Sequence, residues 1–329
     1  MVVCKITMKK ATRCFTDCLD SFKFWRKRKN SIILQRQATC FGFMETQKLY
    51  QAIQSADAIV VGAGAGLSTS AGFTYSGERF RKYFADFIDK YGFTDMYTAG
   101  FHQFPSEEEH WAYWSRHIYC NRYLPAPKPV YNQLLEIVKD KDYFVITTNV
   151  DHQFQKAGFD KQRLFYTQGD YGLFQCATPC HQKTYDNEEA VMKMIAAQNV
   201  ETRHGTSLRI PSELVPKCPV CGGKMKVNLR ADDTFVEDEG WHAAAQRYVD
   251  FINRHQHGKV LYWDLGIGGN TPTIIKLPFM QQTYRNPDAV YATINLGEAF
   301  TVEQIKDRSI VIDGDIGEVL NVLVKHEWP

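Results

Sequence analysis

The sequence predicts a doubly wound α/β protein built on a parallel sheet, and two observations carry that expectation. First, from Asp57 onward the apolar runs are short, rich in β-branched residues and bounded by turn residues, the pattern of strands buried on both faces. These runs are Ala58–Val61, Tyr143–Thr147, Lys259–Trp263, Val290–Ile294 and Ser309–Ile312. Second, helix-like segments separate them, as an alternating β/α chain requires. Val130–Val138 sets Leu134, Leu135 and Val138 on one face just before the second strand, and Val302–Ile305 and Ile316–Val324 do similar work near the end.

Two stretches interrupt the alternation. Residues 78–125 are aromatic and charged with helical spacing, and they carry Phe80, Tyr83, Phe84, Phe87, Trp111, Tyr113, Trp114 and Tyr119. Within them, Glu107-Glu108-Glu109 reads as a solvated helix N-terminus, where acids suit the helix dipole. Residues 175–257 hold four cysteines, many polar residues and little strand pattern. Together the two stretches are expected to form a smaller module facing the sheet, with a ligand cleft between them. The expected division is 44–77, 126–174 and 258–329 for the sheet domain, 78–125 and 175–257 for the module, and a detached extension at 1–43.

That extension carries ten Lys/Arg against Asp17 and Asp20, a net charge of +8. Such a start suits a transit peptide, a basic arm, or sequence upstream of the true start, with Met44 opening the domain. Because the full 329 residues sum to only +2, positions 44–329 hold 29 basic against 35 acidic residues, a net of −6. An acidic body gives a nucleic-acid enzyme no electrostatic support, so no nucleic-acid partner is expected. No window reaches the roughly 18 consecutive apolar residues of a bilayer crossing, so no membrane is expected either. Nine scattered cysteines do not form a secreted disulfide framework, which points to a reducing, cytoplasmic setting.

The first motif is DAIVVGAGAGLSTSAG, Asp57–Gly72. An apolar strand runs into Gly62, Gly64 and Gly66, and Ser68, Thr69 and Ser70 stand where caps of the next helix would. Glycine permits a tight turn and lets backbone N–H groups approach a pyrophosphate, which the following helix N-terminus also favours. Gly64, Ala65, Gly66 and Ser68 are the candidate contacts, although a plain strand-to-helix turn would read the same in isolation. The second motif is VITTNVDHQFQKAG, Val145–Gly158. Its strand presents Asn149, Val150 and Asp151 at the C-terminal edge, where open α/β sheets put their ligands. Asn149 suits a ribose hydroxyl or an ordered water; Asp151 suits a sugar hydroxyl, a neighbouring side chain, or the cap of a helix over 152–157. The third is Cys176-x3-Cys180 with Cys218-x2-Cys221 and Gly222-Gly223 behind it, the arrangement of a closed tetrahedral zinc site that is structural, not catalytic. His181 and His204 read as surface residues.

Taken together, GAGLSTSAG (Gly64–Gly72), TTNVD (Thr147–Asp151), GIGGN (Gly266–Asn270), INLG (Ile294–Gly297) and DGDIG (Asp313–Gly317) resemble the sirtuins in order and spacing over about residues 45–325. The resemblance implies a Rossmann-like NAD-binding domain, a small zinc module, and cleavage of the nicotinamide–ribose bond in the cleft. The sequence also departs from the common pattern. Where sirtuin deacylases carry a His-Gly pair whose histidine is the general base, this chain has Gln168-Gly169, and an amide cannot take up a proton near neutral pH. FTYSGERF (Phe73–Phe80) replaces the usual Pro-Asp-Phe-Arg, leaving Arg79 as the candidate arginine near NAD. Both departures resemble the class M sirtuins of microbes, which are protein ADP-ribosyltransferases, and imply a partner of the lipoyl-carrier type related to the glycine-cleavage H protein.

On that resemblance Asn149, Val150 and Asp151 meet the nicotinamide ribose region and Gln168 orients a ribose hydroxyl, with Asn149, Asp151 and Gln168 the catalytic candidates. Gly266, Gly268 and Asn270 meet phosphate or ribose, Asn295 the adenosine ribose, and Asp315 and Ile316 the adenine. The base that deprotonates the acceptor stays unassigned. Asp170 and His152 are candidates by proximity, though they read more readily as a turn residue and a solvent-facing helix residue. Two readings compete: an NAD-dependent lysine deacylase with some other base, which Gln168 disfavours, and a non-catalytic NAD sensor, which Asn149 and Asp151 disfavour.

Overall fold

The computed structural model of the protein describes residues 44–198, 207–269 and 272–325. The extension 1–43, His204 and Asn270 lie outside the described residues. The chain divides after Gln47, and the unit that begins at Lys48 carries everything below.

In chain order, the first elements are α1 (a helix over 44–55, of which 48–55 lies in this unit), β1 (Ala58–Ala63), α2 (Ala65–Ser70), α3 (Glu78–Tyr91), α4 (Met96–Ala99) and α5 (Glu107–Ile118), which runs into a π-turn at Tyr119–Tyr123. Next come α6 (Val130–Val138), β2 (Tyr143–Thr147), α7 (Gln153–Lys156), β3 (Leu164–Tyr166), β4 (Gly169–Cys176), β5 (Thr184–Asp186) and α8 (Glu188–Ala197). The remainder is β6 (Met225–Leu229), α9 (Glu239–Arg254), β7 (Val260–Leu265), α10 (Lys276–Arg285), β8 (Val290–Ile294), β9 (Ser309–Ile312) and α11 (Ile316–Lys325).

Six strands pair in parallel in the order β3-β2-β1-β7-β8-β9. Every residue of β1, β2 and β7 is buried, which is why these strands read as continuous apolar runs and not as alternations. Alternate residues serve opposite faces. Ile59, Val61, Val145 and Trp263 meet Leu49, Leu134 and Leu320 of α1, α6 and α11, while Val60, Phe144 and Tyr262 meet Phe251 and Phe279 of α9 and α10. The chain leaves β1 in one direction, through β2 and β3, and returns to its other side through β7. A crevice therefore opens between the carboxyl ends of β1 and β7, the position that defines a ligand site in this class of sheet.

The second sheet is antiparallel, β5-β4-β6, and packs under α3, α5 and α8 through Phe80, Phe84, Phe87, Trp111, Tyr113, Phe174, Val191 and Val227. Its helices carry clear start and stop signals. Ser106 caps α5 by accepting from the Glu109 N–H at 3.3 Å, and left-handed Gly92 closes α3.

Several boundaries differ from those expected. Strand β3, only three residues long, leaves no readable apolar run. Segment 175–257 does not stay with the module, because α9 sets Trp241, Ala244, Tyr248 and Phe251 at helical spacing against Phe144 and Phe165 of the large sheet. The small sheet in turn begins at Gly169, inside the stretch assigned to the sheet domain. Nor is Glu109 solvated: it is 2% exposed and accepts from Lys90 Nζ at 2.5 Å and Tyr91 Oη at 2.6 Å.

Candidate active site

The crevice is closed at its base by glycine on glycine. Gly66 N–H donates to Gly266 O at 3.0 Å, and a Cβ on Gly66 would lie 2.7 Å from Gly266 Cα. Gly266 sits at φ +71°, a conformation few other residues adopt, and its own Cβ would strike the Gly66 backbone at 2.5 Å. Two strand-end turns thus approach to backbone contact. Gly64 is the N-cap of α2 and supplies no side chain, so the first N–H groups of that helix are not capped by a side chain of this residue.

Ser68 and Ser70 are not caps, as the sequence suggested; both lie inside α2 and reach outward. Ser68 Oγ donates to Asp151 Oδ2 at 2.5 Å and lies 2.8 Å from Tyr131 Oη. Ser70 Oγ donates to Asp315 Oδ1 at 3.0 Å and accepts from Gly317 N–H at 2.8 Å. One short helix therefore fastens a carboxylate beyond β2 and another beyond β9. Burial pushes the Asp151 carboxyl up, while the Ser68 hydroxyl and the Gln153 N–H pull against that rise. Asn149 Nδ2 donates to Gly64 O at 2.9 Å, which pins the end of β2 to the glycine turn and leaves its Oδ1 without a hydrogen-bond partner among the described residues. Val150 O accepts from Tyr171 N–H at 2.8 Å.

Gln168 stands just before β4; its carbonyl accepts from Arg230 N–H at 3.0 Å, and its side-chain amide makes no hydrogen bond to the described residues. Asp170 and His152 depart from the expected roles. Asp170 is 4% exposed; Oδ1 accepts from Arg122 Nε at 2.8 Å and from Gly172 N–H at 2.7 Å, while Oδ2 lies 2.5 Å from His152 Nδ1. Burial would raise this carboxyl, but the hydrogen bond and charge of His152 and the Arg122 guanidinium hold it below the usual carboxylate range. His152 is not part of helix α7; it precedes it at φ +61°, the one non-glycine described residue with positive φ. A narrow cavity is bordered by Thr147, Asn149, Asp151, His152, Gly169 and Asp170 together.

Farther along the edge, Asn295 Nδ2 donates to Ile267 O at 3.3 Å, and Gly269 N–H donates to Glu298 Oε2 at 3.2 Å, beside Gly268. Asp315 Oδ1 also accepts from the Glu318 N–H at the start of α11, while Ile316 is buried in the core. Arg79 is not brought to the glycine turns. Its guanidinium donates to Thr74 O, Cys120 O and Asn121 Oδ1 at 3.0, 2.5 and 2.9 Å and lies over Phe73, so it braces the loop after α2. It lines a separate cavity of about 1030 Å³ with Phe73, Cys120 and Pro127.

Cys176, Cys180, Cys218 and Cys221 converge with all four sulfurs within 4.8 Å of one another. The pairs Cys176–Cys221 and Cys180–Cys218 stand 3.7 Å apart, close to the ~3.8 Å edge of a tetrahedron with ~2.3 Å Zn–S bonds. No disulfide joins them. The set fits a structural zinc ion with no open position for a reactant.

What sequence reading missed is the polar lining of the module behind Asp151. Tyr75 Oη and His117 Nε2 each lie 3.0 Å from Tyr171 Oη, and His117 is 2% exposed. No motif marks these residues, since three separate elements supply them.

A glycine-lined crevice at the reversal of strand order, an Asn/Asp pair fixed to it and a closed thiolate cluster define an NAD-binding α/β enzyme with a zinc module. The sequence matches the Sir2 family over residues 64–239. It is 42% identical over 285 residues to a Staphylococcus aureus strain Mu50 protein described as a protein ADP-ribosyltransferase, covering 86% of this chain and 88% of that one. A Fusarium oxysporum f. sp. cubense protein, described as a "probable bifunctional ADP-ribose hydrolase/ADP-ribosyltransferase", is 30% identical over 283 residues. The match covers 83% of this chain but only 46% of the fungal protein. Among solved structures, a Sir2 homologue in complex with NAD superposes with a TM-score of 0.52 at 17% identity, over 85% of this chain and 93% of that one. Sir2 bound to an acetylated peptide gives 0.53 at 19% identity, over 86% and 99%. The chain belongs to the Sir2 family. Within that family it is an NAD-dependent protein ADP-ribosyltransferase. Among the described residues, no helix is long and apolar enough to cross a membrane.

Proposed function

We propose that this enzyme moves ADP-ribose from NAD to a lipoyl-carrier protein of the glycine-cleavage H type, releasing nicotinamide, in a reducing cytoplasmic compartment. The observation that carries the reading is Gln168, whose amide makes no hydrogen bond to the described residues and stands, by the resemblance of its motif, where the deacylases of this family bear their histidine. An amide donates and accepts hydrogen bonds but does not titrate, so it orients a ribose hydroxyl without deprotonating it. Deacylation by the family route lacks its base here, whereas transfer to an outside acceptor needs none at that hydroxyl.

In this reading the pyrophosphate of NAD lies at the start of α2 beside Gly64, Ala65 and Gly66, with the Ala65 N–H turned to it, since the Gly64 and Gly66 N–H groups already donate to Leu265 O and Gly266 O. Ser68 works indirectly, by holding Asp151. Asn149, fixed through its Nδ2, offers its free Oδ1 to the nicotinamide ribose, and Asp151 and Val150 complete that end of the site. Gly266, Gly268 and Asn295 face the phosphates and the second ribose, with Asp315 and the main chain at Ile316, whose side chain is in the core, toward the adenine. Holding the ribose in a dry, oriented pocket promotes departure of nicotinamide.

The test measures nicotinamide release from NAD together with mass spectrometry of a co-incubated lipoylated carrier, for wild type, Asn149→Ala and Gln168→His. Wild type is expected to add an ADP-ribose mass to the carrier, and Asn149→Ala to abolish the transfer. If the carrier stays unmodified while an acyl-lysine peptide is deacylated, the deacylase reading replaces this one. NAD binding with no nicotinamide release from any partner would instead make the chain a sensor.

A further inference from the structure

Replacing histidine by Gln168 leaves the acceptor's proton without an evident destination. A histidine 16 positions earlier, His152, is held as a base needs to be held. A general-base imidazole requires one ring nitrogen fixed as a donor to an anion, which leaves the other as an acceptor aimed at the reactants. His152 Nδ1 lies 2.5 Å from Asp170 Oδ2, and Arg122 Nε at 2.8 Å together with the Gly172 N–H at 2.7 Å fixes the other carboxylate oxygen. A carboxylate 4% exposed and held below its ordinary range stays ionised, so the ring keeps its Nδ1–H. Nε2 makes no hydrogen bond to the described residues, and the imidazole borders the same narrow cavity as Asn149 and Asp151.

The backbone adds a second observation. His152 sits at φ +61°, in the left-handed region that disfavours a side chain with a Cβ. Glycine or asparagine would sit there more comfortably, so holding histidine is a strain with no counterpart elsewhere among the described non-glycine residues. Such strain at a ligand edge marks a residue kept for what its side chain does.

We propose that His152, oriented by Asp170, is the general base that takes the acceptor's proton in ADP-ribosyl transfer; the inference rests on the transferase reading above. In the step, the C1′–nicotinamide bond breaks and its electron pair leaves with nicotinamide, which departs neutral. A bond forms from the acceptor heteroatom to C1′, and the acceptor's proton passes to His152 Nε2. The resulting imidazolium is balanced by the Asp170 carboxylate until the proton is lost to water. Overall, NAD⁺ and the protonated acceptor give ADP-ribosyl acceptor, nicotinamide and one proton. Arg122 is a positioning residue that holds the carboxylate.

The experiment uses the full chain with zinc bound, NAD and a lipoylated carrier. His152→Asn and His152→Gly both suit the left-handed backbone, so neither is expected to unfold the site. Three rates are compared: exchange of labelled nicotinamide into NAD, transfer to the carrier, and hydrolysis of NAD by water. Removing a general base lowers transfer by about 10²- to 10⁴-fold, while nicotinamide exchange, which needs no acceptor deprotonation, stays within a few-fold of wild type. Added imidazole is expected to restore transfer in His152→Gly. Transfer at the wild-type rate in His152→Asn overturns the assignment, as does a parallel fall of exchange and transfer, which marks a merely structural role. If wild type leaves the carrier unmodified, the acceptor reading fails by itself. The base is then judged on hydrolysis, the same attack with water as acceptor, where His152→Asn must again be slower.

Discussion

The carboxyl edge of the parallel sheet and the zinc module are built on opposite plans. Along the sheet edge, the glycine turns meet through backbone, with side-chain pairs such as Ser68–Asp151 and Ser70–Asp315 fastened around them: Gly66 and Gly266 touch through main-chain atoms, and Asn149 donates to a main-chain carbonyl. In the module, side chains bind side chains contributed from far apart. Arg116, 1% exposed, holds Asp86 with two nitrogens at 2.6 and 2.8 Å and Gln198 at 2.7 Å, and four thiolates meet from two loops. A backbone site depends on small residues at strand ends and tolerates variation around it, whereas a side-chain module depends on each partner being present. The two should therefore fail differently.

Zinc removal separates them most sharply. Structural zinc contributes roughly 10–16 kcal/mol of apparent binding energy in small zinc domains, more than most domains have in reserve. Stripping the metal with a chelator, or replacing Cys218 with serine, is expected to unfold β4–β6 and α8 and to abolish transfer. Hydrogen exchange checks the outcome: amides of β4, β6 and α8 should lose protection while those of β1, β2 and β7 keep it. If both sets lose protection together, the two plans belong to one cooperative unit and the comparison breaks.

Gly66→Ala is the reciprocal test. Its Cβ, 2.7 Å from Gly266 Cα, has only backbone to push against, so one of the two turns must move. A displacement of about 1 Å at a reacting centre costs on the order of 10²-fold in rate. NAD affinity and transfer should fall by at least that much, while zinc stoichiometry and protection of the small sheet stay at wild-type values. Calorimetric NAD titration beside a zinc assay measures both, and a loss of zinc would show that the turn supports the module too.

The same contrast explains what could be read from the chain. Five of the six parallel strands were legible because burial on both faces writes an uninterrupted apolar run, and the glycine turns because close backbone approach admits few other residues. Strand β3 was not legible, since three residues carry no period. Asn149 and Asp151 stood out as polar residues ending a buried strand. The His152–Asp170 pair did not, because the αL backbone at His152 is set by the fold and not by local preference. Within the module, the thiolates were readable from their short spacings. Arg116 with Asp86 and Gln198, 30 and 82 positions away, was not, because side-chain contacts at such separations leave no local pattern.

The smallest expected effect probes how dry the module is. His117 is 2% exposed, caged by Tyr75, Tyr113, Trp114 and Tyr171, with Nε2 3.0 Å from Tyr171 Oη and Nδ1 without a hydrogen-bond partner among the described residues. Burial, helped by the Arg79 charge, pushes its imidazole down to about 3. An unfolded histidine takes up a proton near pH 6.5, so below that value the unfolded chain binds one proton that the folded chain refuses. Stability from this site is therefore intact above about pH 6.5 and is lost as pH falls toward 3, at about 1.4 kcal/mol per unit. At pH 5 that amounts to about 2 kcal/mol. His117→Phe removes the site while leaving Tyr171 its bond to Tyr75 at 3.0 Å, and every other titrating group is common to both proteins. Urea unfolding at pH 7 and pH 5 should show wild type losing about 2 kcal/mol more than the variant between the two. Equal losses would mean that His117 titrates as it does in water; the module would then be open to solvent, and its side-chain pairs would be as exposed as the sheet edge they are contrasted with.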